Sequence, residues 1–146
     1  MARIKIVTDT EFLHKPSKPV VDFDARLHQL LDDMRDTLGG TGGVGLAAPQ
    51  IGVLYAVCIL RPFNDVLELI NPIIVASGAE KIDDEACLSI PGQSFNVSRP
   101  RVVKVRAVDR HGTPFMVKLK GLAAVCACHE IDHLHGILIT DKAVKK

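Results

Sequence analysis

A His-Glu-x-x-His pattern near the end of the chain constrains the fold more than any other feature of the sequence. His129, Glu130 and His133 lie in the stretch AVCACHEIDHLHG, residues 124–136. Residues four apart lie one above the other on the same face of an α-helix. The two histidines can therefore bind one metal ion from a helix, with Glu130 beside it as a base. Two histidines do not complete a metal site, so the pattern requires a third ligand elsewhere.

The composition is that of a globular protein. The chain has 146 residues, of which 47% are hydrophobic and 24% charged, and its net charge is +1. This length is typical of one domain, which we expect over residues 1–146. The nearly balanced charge gives no indication of nucleic-acid binding. The longest apolar run, residues 53–60, is too short to cross a bilayer.

The N-terminal sequence lacks the apolar stretch of a signal peptide. We therefore expect a cytoplasmic protein. The four cysteines are then expected to be free thiols or metal ligands rather than disulfides.

Local patterns predict an α+β fold with several antiparallel strands and two main helices. Apolar spacing predicts one helix over residues 24–38, with Asp24 as its N-cap. The second helix is predicted over residues 122–135 and stops at Gly136. The glycine-rich stretch at 39–52 is expected to form no regular element.

Strands are predicted from short apolar or alternating runs. In residues 68–75, Pro72 places part of the strand at an edge or a bulge. Residues 101–109 and 113–120 are predicted to form a hairpin that turns beside Gly112. The predicted strands cover residues 4–7, 53–60, 68–75, 101–109 and 113–120.

Counting along the chain restricts the third metal ligand to upstream positions. A longer motif would place a histidine at position 139, which is isoleucine, and no glutamate follows Glu130. Cys126 shares a helix face with the histidines, but it is about 10.5 Å along the axis from His133. Cys87, in DDEACLSIPG, lies in a segment with few helix signals. Elimination gives a weak preference for Cys87, and the remaining histidines at 14, 28 and 111 fit exposed positions better.

Three segments, taken in order, resemble the motifs of peptide deformylases. They are GGVGLAAPQIG at 42–52, EACLS at 85–89 and HEIDH at 129–133. ELINP and the VRAVDRHGTPF hairpin are also similar to the family, so that the resemblance covers residues 24–141. Three ordered motifs are far more specific than one His-Glu-x-x-His pattern alone. The resemblance implies antiparallel sheets packed around a central metal-binding helix, with one further N-terminal helix.

The resemblance also implies roles for individual residues. Cys87, His129 and His133 would bind the metal, and Glu130 would act as general base and then general acid. The Gln50 side-chain amide and the Leu88 backbone N–H would stabilise an oxyanion. The implied substrate-binding residues are Gly43, Val44, Gly45, Glu85, Ala86, Leu122, Val125 and Cys126. The implied reaction is removal of the formyl group from N-terminal formyl-methionine of nascent peptides.

One divalent metal ion per chain is expected, with Fe²⁺ as the native ion and Ni²⁺, Co²⁺ or Zn²⁺ as alternatives in a purified sample. The expected partners are formyl-Met nascent peptides and, transiently, the ribosome. No direct nucleic-acid function and no membrane are expected, and the protein is expected to be a monomer. We also expect Arg99 to pair with an acidic group such as Asp132.

The sequence departs from the family pattern at two points. Ala86 stands where the family usually has glycine, so a methyl group restricts the backbone or crowds the substrate. Only ten residues follow Gly136, where many bacterial members continue into a C-terminal helix. We expect this difference to affect stability and ribosome docking more than the chemistry.

Other interpretations of the motifs are weaker. An aminopeptidase using the same helix would usually take histidine or carboxylate as its third ligand rather than Cys87. A structural zinc site has four protein ligands, and Glu130 would then have no purpose. Two buried helix histidines without a metal would leave the other two motifs unexplained. A phosphate loop at 42–52 would need a following Gly-Lys-Ser/Thr, which is absent.

Overall fold

The computed structural model describes residues 3–62 and 65–145 and has an α+β architecture with antiparallel sheets. Its helices are α1 Thr10–Leu13, α2 Ala25–Gly39, α3 Leu122–Leu134 and α4 Ile139–Lys142, with a 3-10 helix at Ala48–Ile51. Its strands are β1 Gly45–Ala47, β2 Val57–Leu60, β3 Leu67–Gly78, β4 Lys81–Cys87, β5 Ile90–Arg99, β6 Val102–Val108 and β7 Pro114–Lys120.

The strands form a five-stranded sheet in the order β1-β2-β3-β6-β7 and a two-stranded sheet of β4 and β5. All the neighbouring pairs are antiparallel. Alternate residues of a strand point to opposite faces. Val103, Val105 and Ala107 of β6 therefore face the same way, and they pack with the apolar residues of α3. Helix α2 packs with the other face, against residues such as Ile59 and Ile70.

Helix α3 is held by burial on nearly all sides, because eleven of its thirteen residues are buried. It begins after Gly121, whose φ of 61° and ψ of −130° suit a residue without Cβ. It ends before Gly136, whose φ is 73°. The predicted helix over 122–135 is confirmed to within one residue. The sequence around the two histidines thus forms a short, buried helix.

The predicted helix at 24–38 is also confirmed. Asp24 is its N-cap, and the Asp24 side chain accepts a hydrogen bond from Leu27 N at 3.1 Å. The predicted hairpin is formed by β6 and β7, with Gly112 at a φ of 84° in the turn. The predicted irregularity at Pro72 is confirmed as well, because the register of β3 against β6 shifts between Ile70 and Ile73.

Three local predictions were wrong. Residues 4–7 form no strand, because the segment makes single hydrogen bonds to Thr37 Oγ1 and Gln50 O instead of a ladder. The strand expected at 53–60 begins only at Val57, since its first residues bond to Lys18. The glycine-rich stretch, expected to be irregular, contains β1, which pairs with β2. In the part of the chain that the structure describes, no helix is long and apolar enough to cross a membrane.

Candidate metal centre and active site

Cys87 is presented by an irregularity in the two-stranded sheet. It ends β4, and the register against β5 shifts between Ala86, which pairs with Ser94, and Cys87, which pairs with Ile90. A bulge of this kind redirects a side chain and is common beside active sites. The Cys87 side chain is buried and its Sγ lies 3.3 Å from Nε2 of His133.

His129 and His133 lie one turn apart on α3, with ring centroids 5.1 Å apart. One ligand atom from each histidine and the sulfur of Cys87 all lie within 4.8 Å of one another. All three residues are buried. Thiolate and imidazole are donors that Zn²⁺ and the late first-row metals accept readily. The three side chains therefore fit one metal ion.

A buried carboxylate orients His129. Glu85 Oε1 accepts a hydrogen bond from His129 Nδ1 at 2.9 Å. Because Nδ1 is used in this way, Nε2 is the nitrogen left for a metal. Arg99 donates to both oxygens of Glu85, at 2.8 Å and 3.1 Å, and also to Asp132. The predicted pairing of Arg99 with Asp132 is thus present, and Arg99 joins two acidic groups.

Glu130 is buried beside the two histidines. Its Oε1 has no hydrogen-bond partner among the described residues. The backbone of β1 passes close to the carboxylate, since a Cβ added at Gly45 would lie 2.7 Å from Glu130 Oε2. Only glycine leaves room for the Glu130 carboxylate at this point. The carboxylate is therefore held close to the strand edge and keeps an unpaired oxygen.

Burial and neighbouring charges shift the ionisation of the site. Burial raises the pKa of the Glu130 carboxyl to about 7, against the opposing effects of His129 and Arg99. Burial and the nearby His129 lower the pKa of His133 to about 3, so His133 is neutral, as a metal ligand must be.

His129 shows the opposite shift. Burial lowers its pKa, but Glu130, Cys87 and Glu85 outweigh this effect and raise it to about 10. These negative groups stabilise a positive charge at this point. Since metal and proton compete for an imidazole, the same groups would favour a metal cation there.

Gln50 lies in the 3-10 helix that follows β1. Its Oε1 accepts from the backbone N–H of Ala47 at 3.0 Å, which fixes the orientation of the amide. The Nε2 group then points to Ser89 Oγ at 3.2 Å and Cys87 Sγ at 3.6 Å. The amide donor of Gln50 is thereby aimed at the Cys-His-His cluster.

A cavity of about 480 Å³ opens onto these groups. Its lining includes every residue expected to bind metal or substrate or to act in catalysis, except His133. The lining residues are Gly43, Val44, Gly45, Gln50, Glu85, Ala86, Cys87, Leu88, Pro91, Gly92, Leu122, Val125, Cys126, His129 and Glu130.

The sequence reasoning missed several residues. Pro91 and Gly92 line the cavity, and Ser89 accepts the Gln50 amide hydrogen bond. Ser89 lies inside the EACLS segment, and this motif is the sequence feature that could have indicated its place at the site. Glu85 was expected to border the substrate, but it also bonds to His129 and Arg99. No local pattern reveals those contacts.

The fold and site define an α+β protein with a buried Cys-His-His cluster beside a glutamate on one helix. The family model for polypeptide deformylases matches residues 2–146. The chain is 49% identical over 140 residues to a peptide deformylase of Alkaliphilus metalliredigens, covering 94% of each chain. It therefore belongs to the polypeptide deformylase family and is an enzyme, a hydrolase.

Solved structures agree with this assignment. A crystal structure of a peptide deformylase from Legionella pneumophila matches with a TM-score of 0.92 and 41% identity, over 99% of this chain and 87% of that one. The Thermotoga maritima peptide deformylase matches with a TM-score of 0.94 and 32% identity, over 98% and 99%. The family removes formyl groups from nascent peptides, and metal dependence is typical of it.

Proposed function

We propose that this chain hydrolyses the formyl amide of N-terminal formyl-methionine, using Cys87, His129 and His133 to hold one divalent metal ion. The observation that carries the proposal is the buried donor set beside Glu130, whose Oε1 is unpaired. When bound, the metal supplies a Lewis acid that lowers the pKa of water toward about 7. Water adds to the formyl carbon, the C–N bond breaks, and formate and a peptide with a free amine result.

Glu130 moves the proton in this scheme. Its free oxygen accepts a proton from the attacking water and then gives that proton to the departing amine. Its burial excludes the bulk water that would otherwise compete for the proton. The close approach of Gly45 limits where the carboxylate can lie.

Gln50 and Leu88 stabilise the negative charge that develops on the formyl oxygen. The Gln50 amide is held in one orientation by Ala47, so its N–H is already directed before the reaction. The backbone N–H of Leu88, next to Cys87, is the second donor. Losing one such donor typically costs about 3 kcal/mol of transition-state stabilisation.

The cavity walls hold the peptide. Backbone groups at Gly43, Val44 and Gly45 can pair with the substrate as an added strand. Leu122, Val125 and Cys126 offer an apolar surface for the methionine side chain. Glu85 and Ala86 border the same cavity. Ala86 does not have a positive φ, so its methyl group imposes no left-handed backbone strain.

The cellular setting follows from the reaction. Formylated nascent peptides are made in the bacterial cytoplasm, and we place the enzyme there as a monomer of one domain. The soft thiolate of Cys87 suits Fe²⁺ as the native ion, and Ni²⁺ is a less oxidation-prone substitute for assays. Transient contact with the ribosome would bring the enzyme to its substrate.

The test is formate release from formyl-Met-Ala-Ser by protein purified without oxygen and loaded with Ni²⁺ or Fe²⁺. We expect release by the wild type and its loss in Glu130→Gln with metal content unchanged. Unformylated Met-Ala-Ser is the matched substrate, and it should remain intact. Release of free methionine from that peptide would identify an aminopeptidase instead. A folded, metal-loaded protein that releases no formate would contradict the proposal.

A further inference from the structure

The cavity is bordered by the free edge of β1. This strand is the outermost of the five-stranded sheet and pairs with β2 on one side. Gly43, Val44 and Gly45, at the start of the strand, line the cavity. Such an edge can take up an extended peptide as an added strand. Peptide affinity therefore depends on how firmly residues 43–45 are held before the peptide arrives.

The composition of this segment gives it little rigidity of its own. Residues 39–45 have the sequence GGTGGVG, with five glycines in seven positions. Glycine loses more conformational freedom on ordering than any other residue. The β1 ladder begins only at Gly45, so Gly43 and Val44 precede it. Contacts from outside the segment must hold these two residues.

Arg61 supplies two of these contacts. It directly follows β2, and its backbone N–H donates to the carbonyl oxygen of Val44 at 2.6 Å. Its Nη2 group donates to the carbonyl oxygen of Gly43 at 3.1 Å. On the other side, the N–H of Gly43 donates to Thr41 Oγ1 at 3.1 Å. Gly43 is therefore held between one side chain from the end of β2 and one from the turn after α2.

The Arg61 guanidinium is not placed for an ion pair. It is half-buried, and among residues 3–62 and 65–145 it pairs with no carboxylate. Within the same described residues, its side chain makes one hydrogen bond, to Gly43. A charged donor makes a stronger hydrogen bond to a carbonyl than a neutral donor does. Since Gly43 belongs to the cavity wall, the contact acts on that wall.

The cavity also indicates which part of a peptide meets this wall. Gly45 lies beside Glu130, where the formyl group reacts in the proposed function. The lining includes Gly43 and Val44, which precede Gly45, but not Leu46, which follows it. Gly43 is about 7 Å along an extended chain from Gly45, the length of about two peptide residues. A bound peptide thus extends from Gly45 toward Gly43, and the residues after its methionine lie near Gly43.

We propose that Arg61 is a positioning residue for the substrate peptide. By holding the Gly43 carbonyl, it keeps the start of β1 in the form that pairs with the residues after formyl-methionine. The inference rests on the proposed function and adds to it a residue outside the three sequence motifs. Because Arg61 contacts Gly43 and Val44 rather than Glu130, it should affect peptide binding and leave the chemical step unchanged.

The test is steady-state formate release by metal-loaded wild type, Arg61→Met and Arg61→Lys from two substrates. Formyl-Met-Ala-Ser is long enough to reach Gly43, and formyl-methionine amide is not. Methionine keeps the apolar stem without a donor, and lysine restores one charged donor. We expect Arg61→Met to raise KM for the tripeptide about tenfold with kcat unchanged, a loss typical of one charge-assisted hydrogen bond. KM for formyl-methionine amide should stay the same, and Arg61→Lys should recover most of the affinity.

The matched control is Arg106→Met, at an exposed position of β6 outside the cavity. It should retain both KM values. Hydrogen–deuterium exchange of the free proteins should show faster exchange of the backbone amides at 43–46 in Arg61→Met but not in the control. An equal rise in KM for the two substrates, or an unchanged KM for the tripeptide, would overturn the inference.

A binding measurement reads the same contact without turnover. Glu130→Gln, with and without Arg61→Met, is titrated with formyl-Met-Ala-Ser in a calorimeter. We expect about tenfold weaker binding when Arg61 is also changed. If the wild type released no formate, the proposed function would fail, and this difference in affinity would still decide the role of Arg61. Equal affinities would overturn the inference.

Discussion

His129 donates its Nδ1 hydrogen to Glu85 Oε1 over 2.9 Å, and both side chains are buried. The same carboxylate accepts two hydrogen bonds from Arg99, which is only 4% exposed. In such an environment, little water competes for these contacts, so each one restricts the next. The orientation of His129 on α3 therefore depends on a carboxylate of β4 and a guanidinium of β5.

Glu85→Gln should weaken metal binding. A glutamine at this position cannot keep both contacts to Arg99 and the charge-assisted contact to His129. Loss of such an outer contact typically lowers metal affinity by about 10-fold to 100-fold. Competition with a coloured chelator measures the affinity. Glu80→Gln, which changes an exposed glutamate just before β4, is the control. Equal affinity in the two variants would show that Glu85 does not orient the ligand.

Gly45→Ala should impair catalysis more than folding. The new Cβ would lie 2.7 Å from Glu130 Oε2 and 3.0 Å from its Cγ, so the carboxylate must move. A displacement of about 1 Å in a reacting group can cost about 100-fold in rate. Formate release at saturating peptide measures the loss, and thermal unfolding checks the fold.

The control for this change is Gly78→Ala, because a Cβ at Gly78 meets no atom within 4 Å. Gly78→Ala should retain wild-type formate release. If Gly45→Ala also retained it, the approach of β1 to Glu130 would have no catalytic importance.

The placement of His129 and His133 on one helix could be predicted from the sequence because it is local. Helical spacing alone places His129 and His133 on one face, and the structure has them one turn apart. Cys87 lies more than 40 residues away, so counting gave only a weak preference for it. Its position depends on the irregular end of β4, which follows from tertiary pairing with β5.

Other features of the structure also depend on contacts between distant parts of the chain, so local patterns do not predict them. Arg99 also contacts Glu85, 14 residues away, and no periodicity marks such a pair. The apolar alternation at residues 4–7 favoured a strand, but strands also need a neighbour with free backbone groups. There the segment meets only Thr37 and Gln50. The glycine-rich stretch is the opposite case: its composition predicts no regular element, but it contains β1 because β2 provides a strand for β1 to pair with.

Glu68 should make stability depend on acidity. Burial raises its pKa, but hydrogen bonds and attraction from Arg110 and Arg35 outweigh this and hold the pKa below its usual value of 4.5. A depressed pKa means that the stabilisation is fully present above pH 4.5 and is lost as the pH falls through the lower, folded value. We expect Glu68→Gln to be less stable by ~1 kcal/mol at pH 7.

Thermal unfolding of wild type and Glu68→Gln between pH 7 and pH 3 measures this difference. The two melting temperatures should converge as the pH falls below about 4.5. Glu11→Gln, at an exposed position in α1, is the control and should show no such convergence. A constant difference across the range would mean that the charge of Glu68 contributes nothing.

Gly136→Ala should destabilise the fold. Gly136 has a φ of 73°, and an added Cβ would lie 2.3 Å from the backbone oxygen of His14. Backbone cannot move aside as a side chain can, so conformational strain and the clash add together. We expect a loss of roughly 3 kcal/mol in the free energy of unfolding, measured by urea denaturation.

Gly42→Ala separates these two effects. Gly42 has a nearly equal φ of 72°, but a Cβ there meets nothing within 4 Å. It should lose only the ~1 kcal/mol expected for a positive φ. Equal losses in the two variants would rule out a tight contact between the end of α3 and the segment after α1.

Metal removal should abolish formate release without unfolding the protein. The two large apolar clusters, one on each face of the five-stranded sheet, contain none of Cys87, His129 and His133. The core therefore does not depend on the ion, whereas a domain built on a structural metal unfolds when it is chelated. Circular dichroism after chelation should keep its native shape, with a lower melting temperature because a ligand of the folded state is lost. Adding Ni²⁺ back should restore formate release. Unfolding on chelation would instead favour a structural metal, and with it a binding module in place of an enzyme site.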